Sequence, residues 1–304
     1  MPGYGTLYSA WRRGEPDKWF EFTDCEDPPA PRSKKWVLMI SSQFGCAIGC
    51  RFCDAGKFGY RGNLTVEEIL GQVRFVLSAH PELEAAKVPK LKVHIARMGE
   101  PTLNRAVLGA LEVLGRSASL PGLLPSISTV APRCDLSRRF LDDLIGVKDS
   151  YFGGGRFQLQ FSVHSTDEEA RRAVIPARKW TLEEIAAYGE RWHKPGDRLI
   201  TLNAALPKSI PFDPEVAARV FSPEKFLFKF TAVHNTQAAD GAGLTNVWHE
   251  APERISRLAA ELERRGFTAI INPCLPAEVR EGLSCGQLAL SVSRGETSIE
   301  AFAL

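Results

Sequence analysis

Seven short apolar runs, each separated from the next by helix-patterned stretches, constrain this chain more than any other feature. They fall at 35–41, 92–98, 125–130, 157–163, 199–205, 226–233 and 267–272, and are rich in Val, Ile, Leu and Phe. The alternation of short apolar runs with helical patterns suits repeated βα units and parallel pairing through crossover connections. Helix starts are legible between them. Thr65 with Glu68, and Thr181 with Glu184, form capping boxes, Asp213 followed by Pro214 is an N-cap with proline at the first helical position, and the helix around Ile255, Leu258, Ala259 and Leu262 stops at Gly266. No antiparallel hairpin signal stands out, and no glycine-rich dinucleotide loop follows the first run. The expected fold is therefore α/β, a partial (β/α) barrel rather than an open doubly wound sheet. No linker splits the middle, so the expected organisation is an N-terminal extension, 1–35, packed on one barrel domain, 36–304.

Lys and Arg total 38 against 36 Asp and Glu, with no block of like charges. A formal charge of +2 gives little sequence-independent attraction for nucleic acid. The basic pairs Arg12-Arg13, Arg138-Arg139, Arg171-Arg172 and Arg264-Arg265 read as solvated faces. No run of about 18 apolar residues occurs, and the first residues lack the apolar stretch of a secretion signal. The expectation is a cytoplasmic protein with no membrane association.

Seven cysteines, an odd number in a chain without a secretion signal, argue for metal binding or catalysis over a disulfide framework. Cys46, Cys50 and Cys53 lie together directly after the first strand, where barrel active sites collect. Zinc in a structural site takes four nitrogen or sulfur ligands, and no histidine or paired Cys-x-x-Cys follows at the usual spacing. Three thiolates suit a [4Fe-4S] cube with one iron left open to a non-protein ligand. The alternative of another class is an electron-transfer or sensor protein whose cluster is never a catalyst.

With this spacing, and with Phe52 before the last cysteine, the sequence resembles the radical S-adenosylmethionine superfamily. Further motifs narrow the likeness: Ser-Ser-Gln-Phe-Gly-Cys at 41–46, Gly-Tyr-Arg-Gly-Asn-Leu-Thr at 59–65, Glu68 to Gln72, Met-Gly-Glu-Pro-Thr-Leu-Asn at 98–104, the run from Ser162 to Arg171, and Ser-Cys-Gly-Gln-Leu at 284–288. Together they look like the RlmN and Cfr family, which methylates a ring carbon of adenine in RNA. The resemblance implies that S-adenosylmethionine chelates the open iron and is cleaved to a 5′-deoxyadenosyl radical, with flavodoxin or ferredoxin as electron donor. It implies that Gly99 and Glu100 hold the methionyl amino group and that Ser128, Ser162, His164 and Asn235 contact the rest of the cofactor. On its own, His164 reads as a satisfied core histidine, and Gly-Glu-Pro as a turn. It also implies that Cys285 is first S-methylated, then yields a thiomethylene radical that adds to an sp2 carbon.

Two departures stand out. The family has a second catalytic cysteine seven residues before the first cluster cysteine, which releases the adduct by forming a disulfide. Here that position is Met39, which cannot form one; Cys274, Cys25 and Cys134 are the available substitutes. The family's helical N-terminal RNA-binding domain has no counterpart in the residues before the first strand. The expected substrate is therefore either RNA adenine or a smaller molecule. A second enzyme reading keeps the radical but takes hydrogen directly from a small molecule or peptide, without methylation.

Overall fold

The computed structural model describes residues 4–234, 236–244, 252–272, 282–283 and 301–303. The chain opens with β1 (Gly5–Arg12), β2 (Glu15–Cys25), β3 (Trp36–Ile40), β4 (Gln43–Phe44) and β5 (Gly62–Asn63). Then follow α1 (Val66–Ala79), β6 (Leu91–Ile95), α2 (Ala106–Gly115), β7 (Leu123–Thr129), α3 (Asp135–Tyr151) and β8 (Gln158–Ser162). Next come α4 (Glu168–Val174), α5 (Leu182–Trp192), β9 (Ile200–Ala205), α6 (Pro214–Val220) and β10 (Phe226–Thr231). The described chain ends with α7 (Gln237–Gly241), α8 (Pro252–Arg264), β11 (Ala269–Asn272) and β12 (Ala301–Ala303).

One sheet has the order β11-β10-β9-β8-β7-β6-β3-β2-β1-β12, and from β3 to β11 every neighbouring pair is parallel. All seven runs read from the sequence are strands of this parallel part. Helices start where their caps require: the Thr65 and Thr181 side chains each accept from the backbone N–H three residues on, and the glutamate there accepts in return. Asp213 caps α6 with Pro214 behind it.

The parallel strands have two unlike faces. Trp36, Leu38 and Ile40 on β3, Leu91, Val93 and Ile95 on β6, and Phe226, Phe228 and Phe230 on β10 are buried, in one cluster with Ile69 and Val73 of α1 and Leu141 and Leu144 of α3. The intervening residues point the other way. Lys92 on β6 and Lys229 on β10, with three strands between them, lie close enough to repel one another, so the sheet curls and its inner faces confront each other across a lumen. This is a partial barrel with its helices outside.

The N-terminus corrects one expectation. Residues 5–25 are an antiparallel hairpin, and β2 also pairs antiparallel with β3, so the sheet continues past the barrel's first strand. Gly14, at φ +79°, makes the turn. Charged residues interleave with apolar ones at 11–21, which hides the strands, whereas Phe20, Glu21, Phe22, Thr23 and Asp24 are all buried. Asp24 accepts from Arg32 Nε at 3.1 Å and from the Trp36 indole, fixing the passage from hairpin to β3.

Candidate functional site

The residues following the parallel strands form one rim, and the cysteine loop lies across it. Ser41, at the head of that loop, donates its N–H to Gln72 Oε1 at 2.8 Å and accepts from Gln72 Nε2 at 3.0 Å. Asn104 Nδ2 donates to the Ser42 and Leu64 carbonyls at 2.7 and 2.8 Å, and Gln43 Nε2 donates to Asn63 Oδ1 at 2.8 Å. Much of what makes the motifs recognisable is thus scaffolding that holds the loop's approach. On its far side, Thr236 Oγ1 donates to the Phe52 carbonyl at 2.8 Å and Ala238 N–H to Asp54 Oδ1 at 2.9 Å. The Arg51 N–H meets the Val174 carbonyl at 2.9 Å.

Cys46, Cys50 and Cys53 are half-buried on this loop. Burial pushes the Cys46 thiol up to about 11, against the pull of backbone N–H groups of Ile48, Gly49 and Gly99 directed at its sulfur. Burial, then Cys53 and Cys46, raise Cys50 well above the usual thiol range, so the three sulfurs share one electrostatic neighbourhood. Thiolates there need a positively charged partner. Among the described residues, no three His, Cys, Asp or Glu are gathered as a single metal ion requires. An iron–sulfur cube takes one thiolate per iron and spreads its ligands wider than a mononuclear ion does, so the donor set fits a cube.

Gly99 and Glu100 follow β6. A Cβ on Gly99, at φ +99°, would come within 2.6 Å of the Gln43 side chain, so only glycine lets the cysteine strand pass this close. The buried Glu100 carboxylate accepts from Thr102 Oγ1 at 2.7 Å, Thr102 N–H at 3.1 Å, Thr129 Oγ1 at 2.5 Å and Val130 N–H at 3.0 Å. Burial raises its pKa, and these four donors oppose the rise. It is at once the cap of the turn Pro101–Leu103 and a carboxylate at the rim.

Ser162 ends β8 on the inner face, opposite Asn203. Ser128 sits lower, bonded to His94 Nε2 at 2.7 Å and Gln160 Nε2 at 2.9 Å. His164, at φ +59°, accepts the Ala205 N–H on Nδ1 at 3.1 Å and stacks edge-on against Phe52 at 4.8 Å. Burial, then Arg171, depress it to about 3, so its ring is a neutral prop under the cysteine loop. Asn235, Cys274 and Cys285 lie outside the described residues. Met39 is on the inner face of β3, paired in register with His94. Cys25 closes β2, and Cys134 is exposed ahead of α3.

Two residues escaped the sequence reading. Arg97, just past β6, and Glu21 on β2 form an ion pair at 2.9 Å with both side chains fully buried. Arg97 Nη2 also donates to the Gly282 carbonyl at 2.8 Å. Gly282 and Leu283 are thereby fixed against the rim and the hairpin, Leu283 being buried and Gly282 lying beside Leu7. The only sequence signal was a lone charge in each of two apolar settings, His-Ile-Ala-Arg-Met and Trp-Phe-Glu-Phe.

No protein-family model matches the chain. A probable dual-specificity RNA methyltransferase RlmN of Thermus thermophilus is 30% identical over 275 residues, covering 87% of this chain and 70% of that one. The dual-specificity RNA methyltransferase RlmN of Sorangium cellulosum is 30% identical over 262 residues, 86% and 63% of the two. Among solved structures, a radical SAM methyltransferase from Sphaerobacter thermophilus superposes with TM-score 0.64 at 21% identity, over 89% of this chain and 73% of that one. SuiB of Streptococcus suis, solved bound to S-adenosylmethionine, has TM-score 0.52 at 13% identity over 81% and 52%.

Proposed function

Since the chain belongs to the RlmN family of radical S-adenosylmethionine methyltransferases, we propose that it uses a [4Fe-4S] cluster on Cys46, Cys50 and Cys53 and transfers a one-carbon unit through Cys285 to an sp2 carbon. Membership makes it an enzyme and sets aside the non-catalytic electron-transfer reading. The observation that carries the proposal is the convergence at one rim of the three-cysteine loop, the Glu100 carboxylate and the Arg97-held carbonyl of Gly282, three residues before Cys285.

When bound, the cluster and S-adenosylmethionine supply reducing power and a carbon-centred radical. The chain's own residues supply the rest. Glu100 carries a carboxylate that four donors orient, the natural partner for the cofactor's ammonium group. Gly99 leaves room and directs its N–H to Cys46. Ser162 presents a hydroxyl at the rim, and Asn235 completes the proposed cofactor set. Ser128, already engaged by His94 and Gln160, acts on the cofactor through that network, and His164 acts by propping Phe52 beneath the cysteines. Arg97 and Glu21 orient the segment leading into Cys285.

Met39 on the inner face supports a release step that differs from disulfide formation, because a thioether offers neither a proton nor a second sulfur for pairing. Flavodoxin or ferredoxin is the proposed reductant. Between RNA adenine and a smaller molecule, the near-neutral chain favours the smaller molecule. No helix among the described residues is long and apolar enough to cross a membrane.

Peptide mass spectrometry of anaerobically purified protein, with Cys50→Ala alongside, tests the reading. Cys285 is expected to carry a methyl group or a methylene-linked adduct in the parent protein and neither in the variant. An unmodified Cys285 in protein that still forms 5′-deoxyadenosine would overturn it.

A further inference from the structure

The cysteine loop rests on the stretch that follows α4. The Arg51 N–H meets the Val174 carbonyl at 2.9 Å, and a Cβ on Gly49 would stand 4.0 Å from Pro176 Cγ. The next carbonyl, that of Ile175, accepts from Lys179 Nζ at 2.9 Å. The backbone fixes Lys179 from both sides. The Arg133 N–H donates to the Arg178 carbonyl and the Trp180 N–H to the Ala131 carbonyl, each at 2.9 Å, directly after the Thr129 and Val130 that bind Glu100. A cation is thereby set between the cysteine loop and the end of β7.

Its protein partners do not account for it. Lys179 is buried, yet its bond to Ile175 engages one of three ammonium donors, and it forms no ion pair among the described residues. The carboxylate that acts on it, Glu168, is already the ion-pair partner of Arg171. Closing the end of a short helix is work that an exposed lysine can do, whereas burying an ammonium for one neutral acceptor is costly. Burial and then Arg171 lower Lys179 to about 8, with Glu168 and Cys50 opposing them, so it keeps its proton at pH 7. Arg171 and Lys179 also weigh on His164, whose ring lies against Phe52 of the same loop. Contacts and charge together put the ammonium on the Cys50 side of the loop.

We infer, on the cluster reading above, that Lys179 is the fixed counter-charge of the [4Fe-4S] site, an ammonium beside Cys50 that favours the one-electron-reduced state. A cube on three thiolates is anionic, and one electron from the proposed reductant makes it more so; no proton moves, and no bond in the chain forms or breaks. A buried cation stabilises the more negative state, because in a dry site the attraction is weakly screened. Lys179 thus eases the electron uptake that must precede cofactor cleavage, without touching S-adenosylmethionine.

The test uses the full chain, reconstituted anaerobically with iron and sulfide and kept free of S-adenosylmethionine. Redox titration at pH 7, read by the electron paramagnetic resonance of the reduced cluster, compares the parent with Lys179→Gln, Lys179→Met, Lys179→Arg and the exposed neighbour Arg172→Gln. Lys179→Gln keeps a donor for the Ile175 carbonyl and removes only the charge. Both neutral variants are expected to bind iron as the parent does and to lower the ratio of reduced to oxidised cluster tenfold or more at a given potential, a shift of about 59 mV for one electron. Lys179→Arg and Arg172→Gln are expected to stay close to the parent. Equal potentials in the parent and both neutral variants overturn the inference, and so does a fall shared by cluster-loaded Lys179→Arg, which would be an effect of packing. An unchanged potential with weakened S-adenosylmethionine binding overturns it in favour of a lysine that holds the cofactor's carboxylate. Parent protein that assembles no cluster removes the cluster reading and this inference together; a cluster whose potential ignores Lys179 removes this inference alone.

Discussion

Replacing Arg97 by Met leaves the Glu21 carboxylate buried without its cation, and an uncompensated buried charge costs about 3–5 kcal/mol. Chemical denaturation of Arg97→Met is expected to show a loss of that order, and Arg97→Met with Glu21→Gln to recover much of it, because the second change removes the stranded charge. Both variants lose the bond to Gly282. Cys285 in each is expected to be less methylated than in the parent, which peptide mass spectrometry reads independently of stability; full methylation in the stable double variant would sink the positioning role. These two residues show where sequence reading stops. The cysteine triplet stands out as a candidate because its pattern lies within one loop, whereas a pair 76 positions apart is brought together only by the sheet. Gly-Glu-Pro reads from the sequence as a turn, and Glu100 caps it through Thr102, but the bonds it accepts from Thr129 and Val130 depend on β7 and could not be read there.

Local rules were reliable wherever an element depends on its own few residues. Both capping boxes are formed, so Thr181→Ala is expected to destabilise the protein by about 1 kcal/mol in thermal or denaturant unfolding, with no effect on the rim. Thr65→Ala acts on more than a helix end, because Glu68 also receives Arg12 Nε at 2.7 Å and Nη2 at 2.8 Å from the hairpin. The seven parallel strands were legible from runs of apolar residues, since their outer faces are packed under helices. The hairpin was not. Its strands carry charge on the solvent side, and β2 is buried on both faces because Glu21 meets Arg97 from a distant segment and Asp24 meets Arg32 from the connection that follows.

At the scale of the whole molecule, the polar lumen makes stability depend on pH. Lys92 is held near 7 when folded and returns to the ordinary lysine value of 10.5 when unfolded. Between those values the unfolded chain binds the extra proton, so unfolding free energy rises with pH across that window, and below it the full penalty is present and constant. Burial first, then Lys229, Lys35, Lys90 and Arg198, set this behaviour, while His94, depressed by burial and by Lys92 and Lys229, stays neutral throughout. Denaturation midpoints are expected to climb from pH 7 toward pH 10, with a shallower climb in Lys92→Met; parallel profiles would contradict the assignment.

The bonds from Thr236 and Ala238 to Phe52 and Asp54 join positions 184 residues apart in the chain. A ribosome makes the cysteine loop early and the residues that clamp it much later. On the cluster proposed above, loading would be a late event of biogenesis: nascent chains stopped before β10 are expected to retain little iron after desalting, and chains extending past α7 to retain it. The order of synthesis itself would then keep the proposed redox-active centre from assembling on an unfinished protein.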